Sequence, residues 1–71
     1  LKRIYLKRPG RPPDLKEPLV MRGSANVRKV CEKLRLEGKS AKIWGPSSRF
    51  PGQRVGLNHR LRDKDTVEVQ C

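Results

Sequence analysis

Only one stretch of this 71-residue chain repeats its apolar residues at helical spacing. Val27, Val30, Cys31 and Leu34 fall on one stripe, and Arg28, Lys29, Glu32, Lys33 and Arg35 occupy the remaining face. Asn26 stands where a side-chain oxygen can meet the free N–H groups of a first helical turn. Gly38 is the expected C-terminal stop. The spacing predicts one amphipathic helix of about three turns whose apolar stripe faces a core. A basic amphipathic helix that binds RNA or a membrane by itself is the competing reading, and this length serves it poorly. Every other apolar run is short, so the single helix must cover something built from strands.

Those runs alternate. In "LKRIYLK", Ile4 and Leu6 share one face, and Arg3, Tyr5 and Lys7 share the other. "RPGRPPD" is too rich in Pro and Gly to be anything but a loop, and "EPLVM" then forms the second arm of an antiparallel hairpin. Pro18 lacks an N–H, which suits an edge strand. After the helix, "SAKIWG" sends Ala41 and Ile43 inward and Lys42 and Trp44 outward. "PSSRFPGQRVG" is a loop that holds a very short strand at Gln53–Val55. Leu57 and Leu61 lie one helical turn apart, which predicts a single turn or 3₁₀ piece. "RDKD" is a turn, and "TVEVQ" is the last strand, with Val67 and Val69 inward. The order β-β-α-β-(β)-β places the first and last strands side by side and parallel in the centre, because a helix connects the two halves. This is the β-grasp, ubiquitin-like arrangement: an α+β fold with a mixed sheet of four to five strands and one main helix on one face. A ferredoxin-like fold needs a second full helix, and "LNHRL" is too short to supply it.

Residues 1–71 make one small domain with no room for a second core. A core of this size supplies only about 3–5 kcal/mol of net stability, so good local structure has to help. Lys and Arg number 18 against 7 Asp and Glu, a formal net charge of +11. Such a balance speaks of partners rather than fold. Nucleic acid, above all structured RNA, is the first suspect; an anionic membrane surface or an acidic protein is the second. Heat adaptation is a weaker explanation, since it normally adds Glu together with Lys. Lys2, Arg3, Lys7, Arg8 and Arg11 all precede the first acid, Asp14, and a second acid-free stretch runs from Gly38 to Arg62. Cys31 and Cys71 have no CxxC spacing, and with one histidine they fall short of a zinc site. A reducing, cytoplasmic setting fits them better than a disulfide framework. No apolar run approaches the roughly 20 residues of a membrane span. Leu1 in place of Met leads to the expectation of a piece cut from a larger protein.

No catalytic set assembles in the sequence. "FPGQRVGLNHRLRDKDTVEV" gathers His59, three arginines and three acids, but no nucleophile motif accompanies them. Asp63 and Asp65 read as solvated turn-formers, and His59 as a turn residue contacting backbone or solvent. A phosphate loop of the G-x-x-x-x-G-K-[ST] type is missing, so nucleotide binding of that kind is not expected. A binding surface is better supported. Arg3, Tyr5, Lys7, Lys42 and Trp44 point to the open sheet face, with Glu68 and Gln70 between them. Aromatics interleaved with cations suit stacked bases and neutralised phosphates. Arg49, Arg54, Arg60 and Arg62 are flanking candidates for phosphate contacts.

The residues "RIYLKRPGRPPD", "WG" at the end of the third strand and "PGQRVGLNHRLRDKDTVE" resemble the TGS domain at the carboxyl end of the developmentally regulated GTP-binding (DRG) proteins, within the Obg-related GTPases. The resemblance runs through nearly the whole chain. It implies a β-grasp fold and an accessory module beside a GTPase domain, with no cofactor of its own; GTP and Mg belong to the parent domain. It implies RNA or ribosome-associated partners, with a DRG-family regulatory protein and the cognate GTPase domain in cis as further ones, and a monomer when isolated. The alternative function is a regulatory domain that docks on its own GTPase domain or on a partner protein. One segment departs from the family pattern: Lys29 stands near the place of an acid, and "LRLEGKSAKIWG" is short and lacks a usual His and aromatic.

Overall fold

The computed structural model describes residues 1–70 of the chain. The expectations for Cys71 lie outside those residues. Five strands and one helix follow in the order β1 (Lys2–Leu6), β2 (Asp14–Met21), α1 (Val27–Leu34), β3 (Ser40–Trp44), β4 (Gln53–Val55) and β5 (Thr66–Gln70). The sheet order is β2-β1-β5-β3-β4. β1 and β5 run parallel, with Tyr5 opposite Thr66 and Leu6 opposite Val67. The other three pairs are antiparallel. This mixed five-stranded sheet with one helix is the β-grasp expected from the alternation.

Alternation sorts the side chains as the sequence requires. Ile4, Ala41, Ile43 and Val67 point to the helix side and are buried, where they meet Val27, Val30 and Cys31 from α1. Met21 and Leu61 close the ends of the core. Dispersion and dehydration of these few side chains hold the sheet and helix together, and so small a core leaves little margin. β2 extends further than "EPLVM". Its register shifts between Ile4 and Leu6, so the long hairpin bends at a bulge. Pro18 lies on the outermost strand, where its missing N–H costs no ladder bond.

The helix starts as expected and ends differently. Asn26 is extended, and its Oδ1 accepts the Lys29 N–H at 2.8 Å. The helix is eight residues long, closer to two turns than three. Arg35 takes the left-handed conformation (φ 55°), and the next N–H, that of Leu36, returns to the Cys31 carbonyl at 2.9 Å. Arg35 therefore performs the stop assigned to Gly38. Gly38 serves packing instead: a Cβ there would lie 2.6 Å from Val69 Cγ1 and 2.9 Å from Cys31 Sγ. Its lack of a side chain lets the α1–β3 connection rest against β5.

Residues 57–61 do not form a helical turn. The His59 N–H closes a turn on the Gly56 carbonyl at 3.3 Å, and Arg60 then bridges Asn26. The segment serves the helix start. The carbonyls of His59 and Leu57 accept the N–H groups of Val27 (3.2 Å) and Arg28 (2.9 Å), which have no partner inside the helix. The Leu61 N–H bonds the Ala25 carbonyl at 2.8 Å, and the Leu61 side chain drops into the core.

Two glycines give a direct check. Gly38→Ala is expected to lower stability by about 1–3 kcal/mol through overpacking against Val69 and Cys31. Gly56 has nothing within 4 Å of its Cβ position, so Gly56→Ala should be neutral or stabilising by up to about 1 kcal/mol. Equal urea midpoints for the two variants would contradict the packing role of Gly38.

Candidate functional site

The uncovered face of the sheet carries two adjoining rows. Residues in register share a face, so Tyr5, Thr66 and Trp44 line up across β1, β5 and β3. Glu68, Lys42 and Arg54 line up beside them across β5, β3 and β4. Lys7, just beyond β1, reaches into the second row and places its Nζ 2.8 Å from Glu68 Oε2. With strands about 4.8 Å apart, the charged row extends over roughly 14 Å. Arg3 occupies the same face further back, opposite Val20.

Glu68 is the one acid within these rows. It is buried, yet its carboxyl is held below the usual glutamate range. The Lys7 ammonium is the main cause and outweighs the opposing effect of burial; Gln70 and Lys42 add to it. The same ammonium lies 5.3 Å from the centre of the Trp44 ring. On the β4 side, a Cβ on Gly52 would sit 3.5–3.6 Å from Nε1, Cε2 and Cζ2 of that indole. Trp44 thus has the Lys7 ammonium on its β1 side, and on its β4 side a glycine that leaves the ring room. Lys7 is neutralised where it stands, which leaves Lys42 and Arg54 as the unpaired cations of the row among the described residues.

The turn before β5 differs from its sequence reading. Asp65 is fully buried rather than solvated. Its Oδ2 accepts the Arg62 N–H at 2.7 Å and its Oδ1 accepts the Ser47 N–H at 3.0 Å. A Cβ on Gly45 would lie 2.7 Å from that Oδ1, and Gly45 has φ 141°, so both space and conformation require glycine. The "WG" and "DKD" motifs are two halves of one contact. Asp63 Oδ1 accepts the Arg3 N–H at 2.6 Å. That bond is the main reason its carboxyl lies below the usual aspartate range, with the Arg3 charge assisting. Its side-chain pair with Arg3 is long, 3.7 Å, and open to water.

His59 meets a side chain rather than backbone or solvent alone. Its Nε2 is 3.0 Å from Ser47 Oγ. Asp65 touches the Ser47 backbone instead of the imidazole, so the three do not form a relay. Arg49, Arg60 and Arg62 are exposed on loops, and each has a backbone role: Arg49 N–H to Gln53 Oε1 (2.7 Å), Arg60 in the bridge to Asn26, Arg62 N–H to Asp65. The structure therefore gathers Arg3, Tyr5, Lys7, Lys42, Trp44 and Arg54 on one face, with Arg54 on a strand rather than a flank. Among the described residues, no group of three His, Cys, Asp or Glu is placed to hold a metal. Nor is any helix there long and apolar enough to cross a membrane.

The model of the TGS domain family matches residues 2–71. The chain belongs to the TGS domain family. It is 48% identical over 71 residues to an uncharacterized GTP-binding protein of Methanocaldococcus jannaschii, covering 94% of this chain and 18% of that protein. It is 38% identical over 73 residues to GTP-binding protein 1 of Schizosaccharomyces pombe, covering 97% and 20%. It is 34% identical over 70 residues to human developmentally-regulated GTP-binding protein 2, covering 93% and 19%. The chain thus spans 18–20% of the length of these relatives.

Two stability measurements test the geometry of this TGS domain. Asp65→Ala strands two backbone N–H groups and is expected to cost roughly 2–5 kcal/mol. A loss below about 1 kcal/mol would contradict the buried role. The second concerns acid. Glu68 and Asp63 titrate lower when folded, so their contribution is complete above the unfolded values near about 4 and is lost as pH falls through the folded ones. Lys7→Met removes the cause of the Glu68 shift. Urea midpoints across the acid range should then fall less steeply with pH than in the parent domain. An unchanged slope would show that the Lys7–Glu68 pair contributes nothing.

Proposed function

We propose that this TGS domain is a non-catalytic accessory module of a GTP-binding protein and that its open sheet face binds RNA, free or within a ribosome-associated partner. One observation carries the reading. Of 18 Lys and Arg, only Arg3 and Lys7 pair with a carboxylate among the described residues, and the acids near the face are already engaged. Asp65 and Asp63 accept backbone N–H groups, and Glu68 holds Lys7. Cations left over by folding are available to phosphates, whose neutralisation releases counterions.

Trp44 is half-buried, with the Lys7 ammonium 5.3 Å from its ring centre, so its indole flanks the row more than it offers a free plate for bases. Lys42 and Arg54, flanked by Arg3, then meet phosphates along a backbone, which favours structured RNA read by shape. The exposed loop arginines Arg49, Arg60 and Arg62 add charge. GTP and Mg are assigned to the remainder of the parent protein, and the setting is cytoplasmic.

The test is a binding titration with an RNA hairpin and a single strand of equal length, at several salt concentrations. If six phosphates are engaged, affinity falls by roughly a thousandfold between low and moderate salt. Lys42→Glu with Arg54→Glu should weaken hairpin binding at least about tenfold. It should also flatten the salt dependence, by roughly one unit of slope for each phosphate no longer engaged. Absence of binding at low salt, or indifference to the double substitution, would sink the reading.

A further inference from the structure

The parallel pairing of β1 and β5 stops early, and it stops for a chemical reason. The Tyr5 N–H bonds the Asp65 carbonyl (2.8 Å) and the Lys7 N–H bonds the Val67 carbonyl (2.9 Å). The Lys7 carbonyl, which would come next and accept the Val69 N–H, makes no such bond among the described residues, and the following donor would be residue 9, where Pro9 has none. β1 ends in the loop, while β5 continues to Gln70. Val69 is the next residue of β5 whose N–H and C=O point to the β1 side, and no backbone hydrogen bond from β1 reaches it among the described residues. A central strand thereby acquires a short open edge.

Beside that edge is a groove of about 780 Å³. Leu6, Leu34, Leu36, Val67 and Val69 form its apolar lining, and at its β1 end Arg8 is the cation without a carboxylate partner among the described residues, Lys7 being paired with Glu68. Leu36 is 44% exposed, although it follows the helix end directly. Among the described residues, the only acid of the lining, Glu68, is buried and paired with Lys7. The groove thus combines an unpaired strand edge, an apolar floor and a positive rim.

We propose that this notch binds an extended peptide by strand addition. The peptide continues the line that β1 abandons at Pro9, exchanges backbone hydrogen bonds with Val69 and sets alternate apolar side chains on Leu6, Leu34 and Leu36. Its flanking residues are acidic, because the rim offers Arg8 and the domain carries +11 overall. The site meets the proposed RNA row at a common wall, Lys7 and Glu68, but does not depend on RNA binding there.

The probe is a synthetic peptide, Asp-Glu-Val-Thr-Val-Thr-Val-Glu-Asp, titrated into the 71-residue chain and followed by amide NMR shifts. The largest shifts are expected at Val69, Leu6 and Leu36. Replacing the peptide acids by lysine should weaken binding at least tenfold, and so should N-methylation of its valines, which removes strand pairing without removing apolar contact. Leu36→Asp should weaken binding tenfold or more, and the exposed Arg8→Glu threefold or more, which keeps the test open if Leu36→Asp unfolds. Shifts confined to other surfaces, equal binding of the lysine peptide, or indifference to N-methylation would overturn the proposal. So would a concentration-dependent dimer that occupies the notch, since a second copy would then be the partner.

Discussion

The buried carboxylate of Asp65 is the fixed point of this fold. Its two oxygens tie the Ser47 and Arg62 N–H groups, so one residue joins the loop after β3 to the turn before β5. Its own carbonyl then accepts the Tyr5 N–H and begins the parallel β1–β5 pairing. Parallel strands distant in sequence incur a large entropy cost before any contact rewards them. A buried side chain that accepts two backbone N–H groups, in a site closed by Gly45, offsets that cost at the point where the two halves of the chain meet. The helix depends on the same segment, because residues 57–61 occupy its first N–H groups and send Leu61 into the core.

Electrostatics follow from this framework. Of the seven Asp and Glu, the three near the sheet face are used where folding needs them. Asp63 and Asp65 go to backbone donors, and Glu68 goes to Lys7. A buried pair of this kind is not a large source of stability, since desolvation works against the attraction. It does set positions: Lys7 is drawn toward β5, which leaves its ammonium 5.3 Å from the centre of the Trp44 ring. Apart from Arg3, the remaining cations have no carboxylate within ion-pair distance among the described residues. Their availability is a by-product of folding, and it is what makes a polyanion the natural counterpart of the face.

Much of this was legible in the chain. Period-two alternation located β1, β3 and β5 and sorted their faces. Asn26 marked the helix start, and one helical run among short strands was enough to reach the β-grasp order. The failures share a cause. Gly38 looked like a helix stop, yet its role is a contact with Val69, more than thirty residues away. Local sequence has no sign that separates a glycine needed for conformation from one needed for clearance. Asp65 looked solvated because a DxD turn usually is, and nothing nearby announces that Ser47 supplies a donor. His59 likewise shows its purpose only when its carbonyl is found on Val27 and its ring on Ser47. Arg54 was assigned to a flank because a three-residue strand barely registers as alternation, and pairing with β3 was needed to bring it beside Lys42.

Lys7 and Glu68 form the border between the charged row and the apolar groove at the end of β5. Their mutual neutralisation matters to both surfaces. An unpaired lysine there would extend the positive row into the groove, and an unpaired glutamate would repel phosphates from the row and acids from the groove. Paired, they present little net charge to either side, so the two surfaces are electrically distinct although they share a wall. Pro9 completes the separation by ending β1 before it can close the groove. The stretch of chain that leaves β1, residues 7–9, thus divides one small sheet into a face suited to a polyanion and an edge suited to a strand.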